Sequence, residues 1–323
     1  MSGKIKFAFL LTGGCAGCEM ALVDMGERLV DALEHLEVVF WAPTVADVKY
    51  KDLEAMPDQS IDLAFVDGMV RLEEHEHMLK VLRQKSKILV AFGICAALGG
   101  IPGMANIHPT EEVLEQAYKK TFSTDNPEGI FPQPSYVLEG KYQLTLPAFL
   151  DQVKPVNAVV EVDYYVGGCP PHQDFVAKAV ETIVAGNLPP KGSWLGTGKA
   201  VCDSCARNPA LKGRERKRVE EIKRTFEGAP QEGECLLEQG YLCLGPFTEG
   251  FCGASCPKVG IPCRGCGGPL PGVKDYGAQV MSSLGALLTD EAVDQLLKKY
   301  PNLVKLFYRY AFPGSFLGKA EQK

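Results

Sequence analysis

The residues of this chain best suited to chemistry are its 12 cysteines. Four of them fall within FCGASCPKVGIPCRGCGG (251–268), at spacings of four, seven and three residues, and no histidine stands among them. A disulfide knot, a structural zinc ion and an iron-sulfur cluster could each use such a group. Composition and the positions of the other cysteines therefore have to discriminate among the three.

The composition favours open thiols over disulfides. The chain has 323 residues, of which 46% are hydrophobic and 23% charged, with a formal net charge of -6. This is a globular composition, and its acidity gives no reason to expect nucleic acid. The opening MSGKIKFAFLLTGGC is too short in apolar residues for a membrane span and lacks the cleavage pattern of an export signal. We expect a cytoplasmic protein, and in that compartment dense cysteine is typical of metal binding or catalysis.

Near-continuous apolar runs in the first half predict strands that are buried on both faces of a parallel sheet. The five runs are IKFAFLL (5–11), EVVFWAP (37–43), IDLAFVDGMV (61–70), KILVAFGI (87–94) and AVVEVDYYVGG (158–168). Apolar residues recur at helical spacing over 19–35 and 73–86, and a third helical pattern runs over 170–186. We expect an α/β fold, a flavodoxin-like doubly wound parallel sheet of five strands, over residues 1–190.

Four cysteines directly follow predicted strands. Cys15 and Cys18 follow the first strand in TGGCAGCE. Cys95 follows the fourth in FGICAALGG, and Cys169 follows the fifth in VGGCPP. Because open parallel sheets bind ligands outside the carboxyl ends of their strands, we expect these loops to converge on one tetrathiolate site. Two other interpretations stay open: Cys95 and Cys169 as small buried hydrophobic residues, and the C-x-x-C pair as a thioredoxin-like redox pair.

From about residue 191 the chain is rich in glycine, proline and cysteine and shows no strand alternation, which predicts an irregular domain over 191–323 that metal sites stabilise. Its cysteines are Cys202, Cys205, Cys235, Cys243, Cys252, Cys256, Cys263 and Cys266. Two zinc ribbons built on the pairs 202/205 and 263/266 are one interpretation, although these pairs lie farther apart than in a zinc ribbon. The irregular spacing, with a proline after Cys256 as after Cys169, favours iron-sulfur ligation.

The elements GCAGCE, GICAALGG and VGGCPP, followed by the cysteine-rich second half, resemble the small subunit of a nickel-iron hydrogenase over nearly the whole chain. That resemblance implies three clusters. The proximal ligands would be Cys15, Cys18, Cys95 and Cys169; the medial ligands Cys252, Cys256, Cys263 and Cys266; and the distal ligands Cys202, Cys205, Cys235 and Cys243. Since all 12 cysteines are then assigned, we expect no catalytic centre on this chain.

Two positions depart from the periplasmic members of that family. Cys202 stands where they have a histidine, and Cys256 stands where they have a proline that leaves a three-iron cluster. The resemblance therefore implies three all-cysteine 4Fe-4S clusters. It is strongest to the cytoplasmic, methyl-viologen-reducing hydrogenases that do not reduce deazaflavin. The implied partners are a large subunit with the nickel-iron centre, a downstream iron-sulfur subunit and heterodisulfide reductase.

Two alternatives to this function stay open. The first is an iron-sulfur subunit of a deazaflavin-reducing hydrogenase or a sulfhydrogenase, although the ferredoxin-like C-x-x-C-x-x-C run typical of the deazaflavin-reducing type is missing here. The second, from another class, is a zinc-stabilised structural or interaction protein. Metal analysis would separate the two classes.

Three further segments carry weaker predictions. The basic stretch LKGRERKRVEEIKRTF (211–226) is typical of a solvated helix, or of a docking site for an acidic electron carrier. The stretch 103–157 is too long for a simple crossover and predicts an insertion over the site or at a partner interface. Near the carboxyl end we expect a helix capped by Thr289 or Asp290, followed by an aromatic segment.

Overall fold

A computed structural model describes residues 4–42 and 47–320. Its strands are β1 (Ile5–Leu11), β2 (Leu36–Ala42), β3 (Ile61–Asp67), β4 (Val70–Leu72), β5 (Ser86–Phe92), β6 (Ser135–Leu138), β7 (Tyr142–Thr145), β8 (Phe149–Lys154), β9 (Tyr164–Val166) and β10 (Ser193–Trp194). Pro43, the last residue of the predicted second strand, lies outside the described residues. So do residues 1–3 and 321–323, with which the predicted domains begin and end.

The central sheet has the order β2-β1-β3-β5-β9-β10, and all its neighbouring strands are parallel. This confirms the α/β class and the flavodoxin-like order, in which β2 is added on one side of β1 and the later strands are added on the other side. The sheet has six strands rather than five. The sixth, β10, consists of two residues that come after the predicted domain boundary at 190, and two residues carry no detectable period.

Side chains alternate along β1 between two cores, one on each face of the sheet. Phe7 and Phe9 pack in one core with Phe65 and Phe92, where Phe65 and Phe92 are stacked at 4.9 Å between ring centroids. Ala8 and the other alternate residues pack in the opposite core. Because helices cover both faces, the strands need apolar residues at every position, which is why their sequences are near-continuous apolar runs.

The observed helices differ from the predicted ones in two respects. They are α1 (Gly17–Val23), α2 (Glu27–His35), α3 (Tyr50–Ala55), α4 (Glu73–Lys85), α5 (Ile94–Leu98), α6 (Thr110–Glu115), α7 (Gln173–Val184), α8 (Ser255–Lys258), α9 (Tyr276–Leu287), α10 (Asp290–Lys299), α11 (Leu303–Phe307) and α12 (Phe316–Ala320). The predicted helix over 19–35 is broken at Gly26, whose φ of +62° is not helical. Helix α7 begins after its cap His172, so the two prolines precede it.

The cysteine-rich part has a core of its own. Its buried side chains run from Val201 to Phe312 and include four cysteines, Cys205, Cys235, Cys243 and Cys263. The predicted helix near the carboxyl end is α10, and the Thr289 hydroxyl caps it by accepting from the Ala292 amide. Much of the aromatic segment that follows packs back onto this core, with Phe307, Tyr308 and Phe312 buried.

The basic stretch 211–226 was expected to be a solvated helix, and that prediction is wrong. Over 214–223 the chain is non-helical and is held by isolated bridges from Val219 to Leu288 and from Lys223 to Tyr241. Val219 and Ile222 are fully buried in the cysteine-rich core. Because these two apolar side chains are both buried and the backbone around them is bridged to distant segments, the stretch lies extended across the core and does not form a helix.

The insertion over 103–157 forms its own substructure at the carboxyl end of the sheet. Strand β8 pairs antiparallel with β4, which starts three residues after β3 ends. Strands β6 and β7 form a hairpin whose residues are all exposed. Among the described residues, no helix has the length and apolar character needed to cross a bilayer.

Candidate metal centres

The cysteines predicted as the proximal set lie at the carboxyl ends of three strands of the sheet. Cys15 lies between β1 and α1, Cys18 in the first turn of α1, Cys95 in α5 after β5, and Cys169 between β9 and α7. Burial raises the pKa of Cys95 to about 12, and the neighbouring Cys169 and Cys15 add to the effect. Burial also raises the pKa of Cys18, with Cys95 and Cys169 again contributing. The four thiols therefore lie close enough together at this crevice to interact electrostatically.

Glycines form the wall of this crevice. A Cβ on Gly93, whose φ is +89°, would overlap the sulfur of Cys18. A Cβ on Gly100 would overlap the sulfur of Cys95, and one on Gly17 would lie 3.3 Å from the sulfur of Cys15. Glycine at these positions lets the backbone approach three of the four sulfurs closely, without a side chain in between.

Two buried carboxylates lie beside the proximal set. Burial raises the pKa of Asp67, at the end of β3, to about 6, and hydrogen bonds from Cys18 and from backbone amides act against that rise. Glu19, in the first turn of α1, is buried and accepts a hydrogen bond of 2.6 Å from the Trp41 indole. Glu19 thus ties α1 to β2. Sequence reasoning did not identify Asp67, although a polar residue at the end of an apolar strand was a usable signal.

The cysteines predicted as the distal set line one cavity in the cysteine-rich part. Its lining includes all four, Cys202, Cys205, Cys235 and Cys243. Burial raises the pKa of Cys202 to about 12; Arg216 acts against that rise, and the other three cysteines add to it. Gly245 lies in the wall, where a Cβ would be 3.4 Å from the Cys202 sulfur and 3.6 Å from the Cys243 sulfur.

Arg216 is a residue of the distal cavity that sequence reasoning missed. Its Nη1 donates to the Cys235 sulfur at 3.0 Å, and its Nη2 lies 3.8 Å from the Cys202 sulfur. The positive charge of the stretch 211–226 was a usable signal, but a helix would have turned most of those side chains to solvent. The extended backbone instead directs Arg216 toward the cysteines.

The cysteines predicted as the medial set lie between the other two. Burial raises the pKa of Cys266 to about 12, and Cys252, Cys169 and Cys256 contribute to that rise. The backbone amide of Cys169, from the proximal set, hydrogen-bonds Cys266. On the other side, the amide of Cys263 donates to the sulfur of Cys243, from the distal set, at 3.3 Å. One hydrogen bond therefore links each neighbouring pair of sets.

Two tyrosines complete the surroundings of the medial cysteines. Tyr276, at the start of α9, is buried and shares a hydrogen bond of 2.8 Å with the Thr248 hydroxyl. Burial raises the pKa of Tyr310 to about 12, and Cys266 and Cys169 add to that rise. The carboxyl-terminal aromatic segment thus reaches the junction between the medial and proximal sets.

The donor chemistry suits iron-sulfur clusters. All 12 cysteines are free thiols. A structural zinc ion needs four donors at about 2.3 Å from a single centre. A four-iron cluster makes a different demand, since each thiolate binds its own iron. At the distal site, all four cysteines line one cavity.

Hydrogenase subunits are among the known proteins to which this chain is similar. The family described as NADH ubiquinone oxidoreductase, 20 Kd subunit, matches residues 15–183. An iron-sulfur subunit of the F420-non-reducing hydrogenase from Archaeoglobus profundus is 66% identical over 98% of this chain and 98% of its own length. The chain belongs to the family of F420-non-reducing hydrogenase iron-sulfur subunits. A subunit of the F420-non-reducing hydrogenase from Methanothermobacter thermautotrophicus, 33% identical over 100% of this chain and 99% of its own, agrees with that assignment.

The solved structures support the fold. A [NiFeSe]-hydrogenase chain from Dm. baculatum matches 84% of this hydrogenase subunit and 97% of its own length, with 18% sequence identity and a TM-score of 0.50. The family membership confirms the prediction of a nickel-iron hydrogenase small subunit with an electron-transfer role. The subunit is therefore a component of an oxidoreductase whose catalytic centre belongs to the large subunit.

Proposed function

We propose that this hydrogenase subunit holds three 4Fe-4S clusters and passes electrons from hydrogen oxidation on a large subunit to a redox partner. Cys15, Cys18, Cys95 and Cys169 would hold the proximal cluster, Cys252, Cys256, Cys263 and Cys266 the medial cluster, and Cys202, Cys205, Cys235 and Cys243 the distal cluster. When bound, such clusters supply one-electron transfer without forming or breaking bonds.

The observation that carries the proposal is the linkage between cysteine sets. The hydrogen bond from the Cys169 amide to Cys266 joins the first set to the second. The hydrogen bond of 3.3 Å from the Cys263 amide to Cys243 joins the second to the third. A relay needs short, fixed spacing between its stations, and these backbone contacts fix neighbouring ligands relative to each other. They support the proposed order proximal, medial, distal.

The protein's own residues also control water and charge along this route. The core of the cysteine-rich part encloses Cys205, Cys235, Cys243 and Cys263 among aliphatic and aromatic side chains. Cys15 and Cys169 are instead exposed. Cys256 of the medial set is exposed as well, whereas none of the four distal cysteines is. The exposed proximal ligands support entry of electrons at that end, from a partner that covers it.

The hairpin of β6 and β7 supports a large subunit as that partner. Its cross-strand pairs Tyr136–Leu144 and Leu138–Tyr142 share one face, and all four side chains are exposed. An isolated two-stranded hairpin is marginally stable in water, so an apolar aromatic face of this kind is typical of a protein interface. The insertion that carries it joins the sheet at the same end as the proximal cysteines.

We propose a cytoplasmic complex that delivers the electrons through a further iron-sulfur subunit to heterodisulfide reductase. The 12 free thiols suit a reducing compartment. An alternative acceptor is a flavoprotein that reduces deazaflavin. The relatives from Archaeoglobus profundus and Methanothermobacter thermautotrophicus belong to F420-non-reducing hydrogenases, which favours the first acceptor.

The test is anaerobic purification of the native complex through a tag on this chain, followed by exposure to hydrogen. We expect a nickel-containing large subunit and heterodisulfide reductase among the recovered proteins. We also expect the paramagnetic signals of reduced clusters on this chain after hydrogen is added. Recovery of a deazaflavin-reducing flavoprotein would overturn the acceptor, and clusters that hydrogen does not reduce would overturn the relay.

A further inference from the structure

Arg216 makes a direct charged contact with the distal cysteines. Its guanidinium donates through Nη1 to the sulfur of Cys235 at 3.0 Å, and Nη2 lies 3.8 Å from the sulfur of Cys202. Both cysteines line the same cavity as Arg216. One planar side chain thus spans two of the four sulfurs, a two-point geometry that the compact ammonium group of a lysine would not reproduce.

The guanidinium is held in this position from several directions. Its Nη2 also donates to the Asn208 side-chain oxygen at 3.4 Å, and Asn208 in turn donates to the Cys202 carbonyl at 2.9 Å. The flanking backbone is fixed by Glu238, which binds the Arg214 side chain at 2.7 and 2.9 Å and accepts from the Lys217 amide at 2.8 Å. Arg216 is therefore part of the wall of the site and is not a mobile surface side chain.

No carboxylate neutralises this positive charge by direct contact. Within the described residues, no Asp or Glu oxygen lies in ion-pair distance of Arg216, and Glu238 pairs with Arg214 instead. A second arginine in the cavity lining, Arg207, donates to the backbone oxygens of Pro257, Gln231 and Glu234. Arg216 is the arginine of this cavity whose hydrogen bonds reach sulfur.

We propose that Arg216 is a positioning residue that raises the reduction potential of the distal site and so favours electron transfer from the medial site to the distal site. This inference rests on the proposed function. One electron leaves the medial site and reduces the distal site, which then gives one electron to the external acceptor. No bond forms or breaks, and Arg216 keeps its proton throughout because guanidinium does not deprotonate in proteins.

The physical reason is charge. Reduction would add one negative charge to a cluster held by the distal cysteines, and a fixed cation with N–H···S hydrogen bonds would stabilise the more negative state. Arg216 would therefore raise the distal potential relative to the medial and proximal sites. The sulfurs that its hydrogen bonds reach within the described residues, Cys235 and Cys202, both belong to the distal set, so its direct effect should be confined to that site.

The experiment is a redox titration of the anaerobic complex followed by electron paramagnetic resonance, with Arg216→Met, Arg216→Lys and Lys217→Met variants. Lys217 is exposed and makes no side-chain contact with sulfur, so its variant removes the same charge one residue away. A Cys202→Ser variant, which changes a distal ligand, identifies the distal signal. We expect Arg216→Met to lower only the distal midpoint potential, by about 59 mV for a tenfold change in a one-electron equilibrium. We expect Arg216→Lys to lower it less and Lys217→Met to leave it unchanged.

Three results would overturn the inference. The first is a wild-type distal potential in Arg216→Met. The second is an equal shift in Lys217→Met, and the third is a parallel shift of all three signals in Arg216→Met. If Arg216→Met does not retain its iron, Arg216→Gln, which removes the charge but keeps an N–H donor, decides in its place: a lowered distal potential supports the inference, and a wild-type value overturns it. Failure of the proposed function looks different, because then the wild-type chain itself would carry no clusters to titrate.

Discussion

Replacing Gly93 by alanine should remove the proximal cluster while leaving the other two in place. The new Cβ would overlap the Cys18 sulfur, so that thiolate must move away from its site. Gly93 also has φ +89° and ψ 160°, a region that costs other residues about 1–3 kcal/mol. The matched control is Gly26→Ala, because Gly26 has φ +62° and no atom lies within 4 Å of the position that an alanine methyl group would take there.

Both variants should therefore lose about 1–3 kcal/mol of unfolding free energy through the backbone, as measured by denaturant unfolding. Only Gly93→Ala should also lose about four of about twelve iron atoms per chain, by iron analysis of anaerobic protein. Comparison of the two variants thus separates the conformational cost of the backbone from the steric effect on the proximal site. Full iron content with unchanged cluster spectra in Gly93→Ala would refute the reasoning, as would equal iron loss in Gly26→Ala.

Three further predictions concern the medial site, the scaffold and the partner surface. Cys256→Pro should give a three-iron signal and slow electron transfer while hydrogen-isotope exchange in the complex continues. The variant should fold, because residue 256 lies in the first turn of α8, where proline is tolerated. Unchanged cluster spectra would count against the medial assignment. Asp163→Asn should cost about 3 kcal/mol at pH 7 in denaturant unfolding, because it removes the charge of a buried carboxylate that pairs with the partly buried Arg83 and the exposed Lys191. Burial alone would raise the pKa of Asp163, but its cationic and amide partners hold that pKa below the ordinary value. Its contribution to the free energy of unfolding is therefore complete above about pH 3.9 and is lost as the pH falls through the lower folded pKa. A stability difference between variant and wild type that persists at low pH would contradict this. Leu144→Glu, on the apolar face of the hairpin, should reduce recovery of the large subunit when the complex is purified through this chain, whereas Gln143→Glu, on the opposite face, should not. Equal recovery with both variants would exclude the apolar face as the contact.

The parts of the fold that repeat a pattern could be predicted from the sequence. Strands such as β1 and β3 need apolar residues at every position because helices cover both faces of the sheet, and that demand is visible in the sequence. The two-residue β10 has no period to detect. The break between α1 and α2 depends on a positive φ at Gly26, which sequence alone does not distinguish from a tolerated helical glycine.

The surroundings of the cysteines were less predictable than the cysteines themselves. Arg216 belongs to a stretch whose charge is typical of a solvated helix, and its direction depends on contacts distant in sequence, such as the bridge from Val219 to Leu288. Asp67 acquires its raised pKa only because folding buries it beside Cys18. The sequence predicts which cysteines form each candidate set, whereas the side chains that surround those cysteines depend on tertiary packing.

The most direct test of the account is metal analysis of the anaerobically purified chain with its cluster spectra. Three 4Fe-4S clusters predict about twelve iron atoms per chain, an equal amount of acid-labile sulfide, and broad brown absorbance that hydrogen bleaches in the complex. About two or three zinc ions per chain with negligible iron would contradict the account and leave a zinc-stabilised protein in its place.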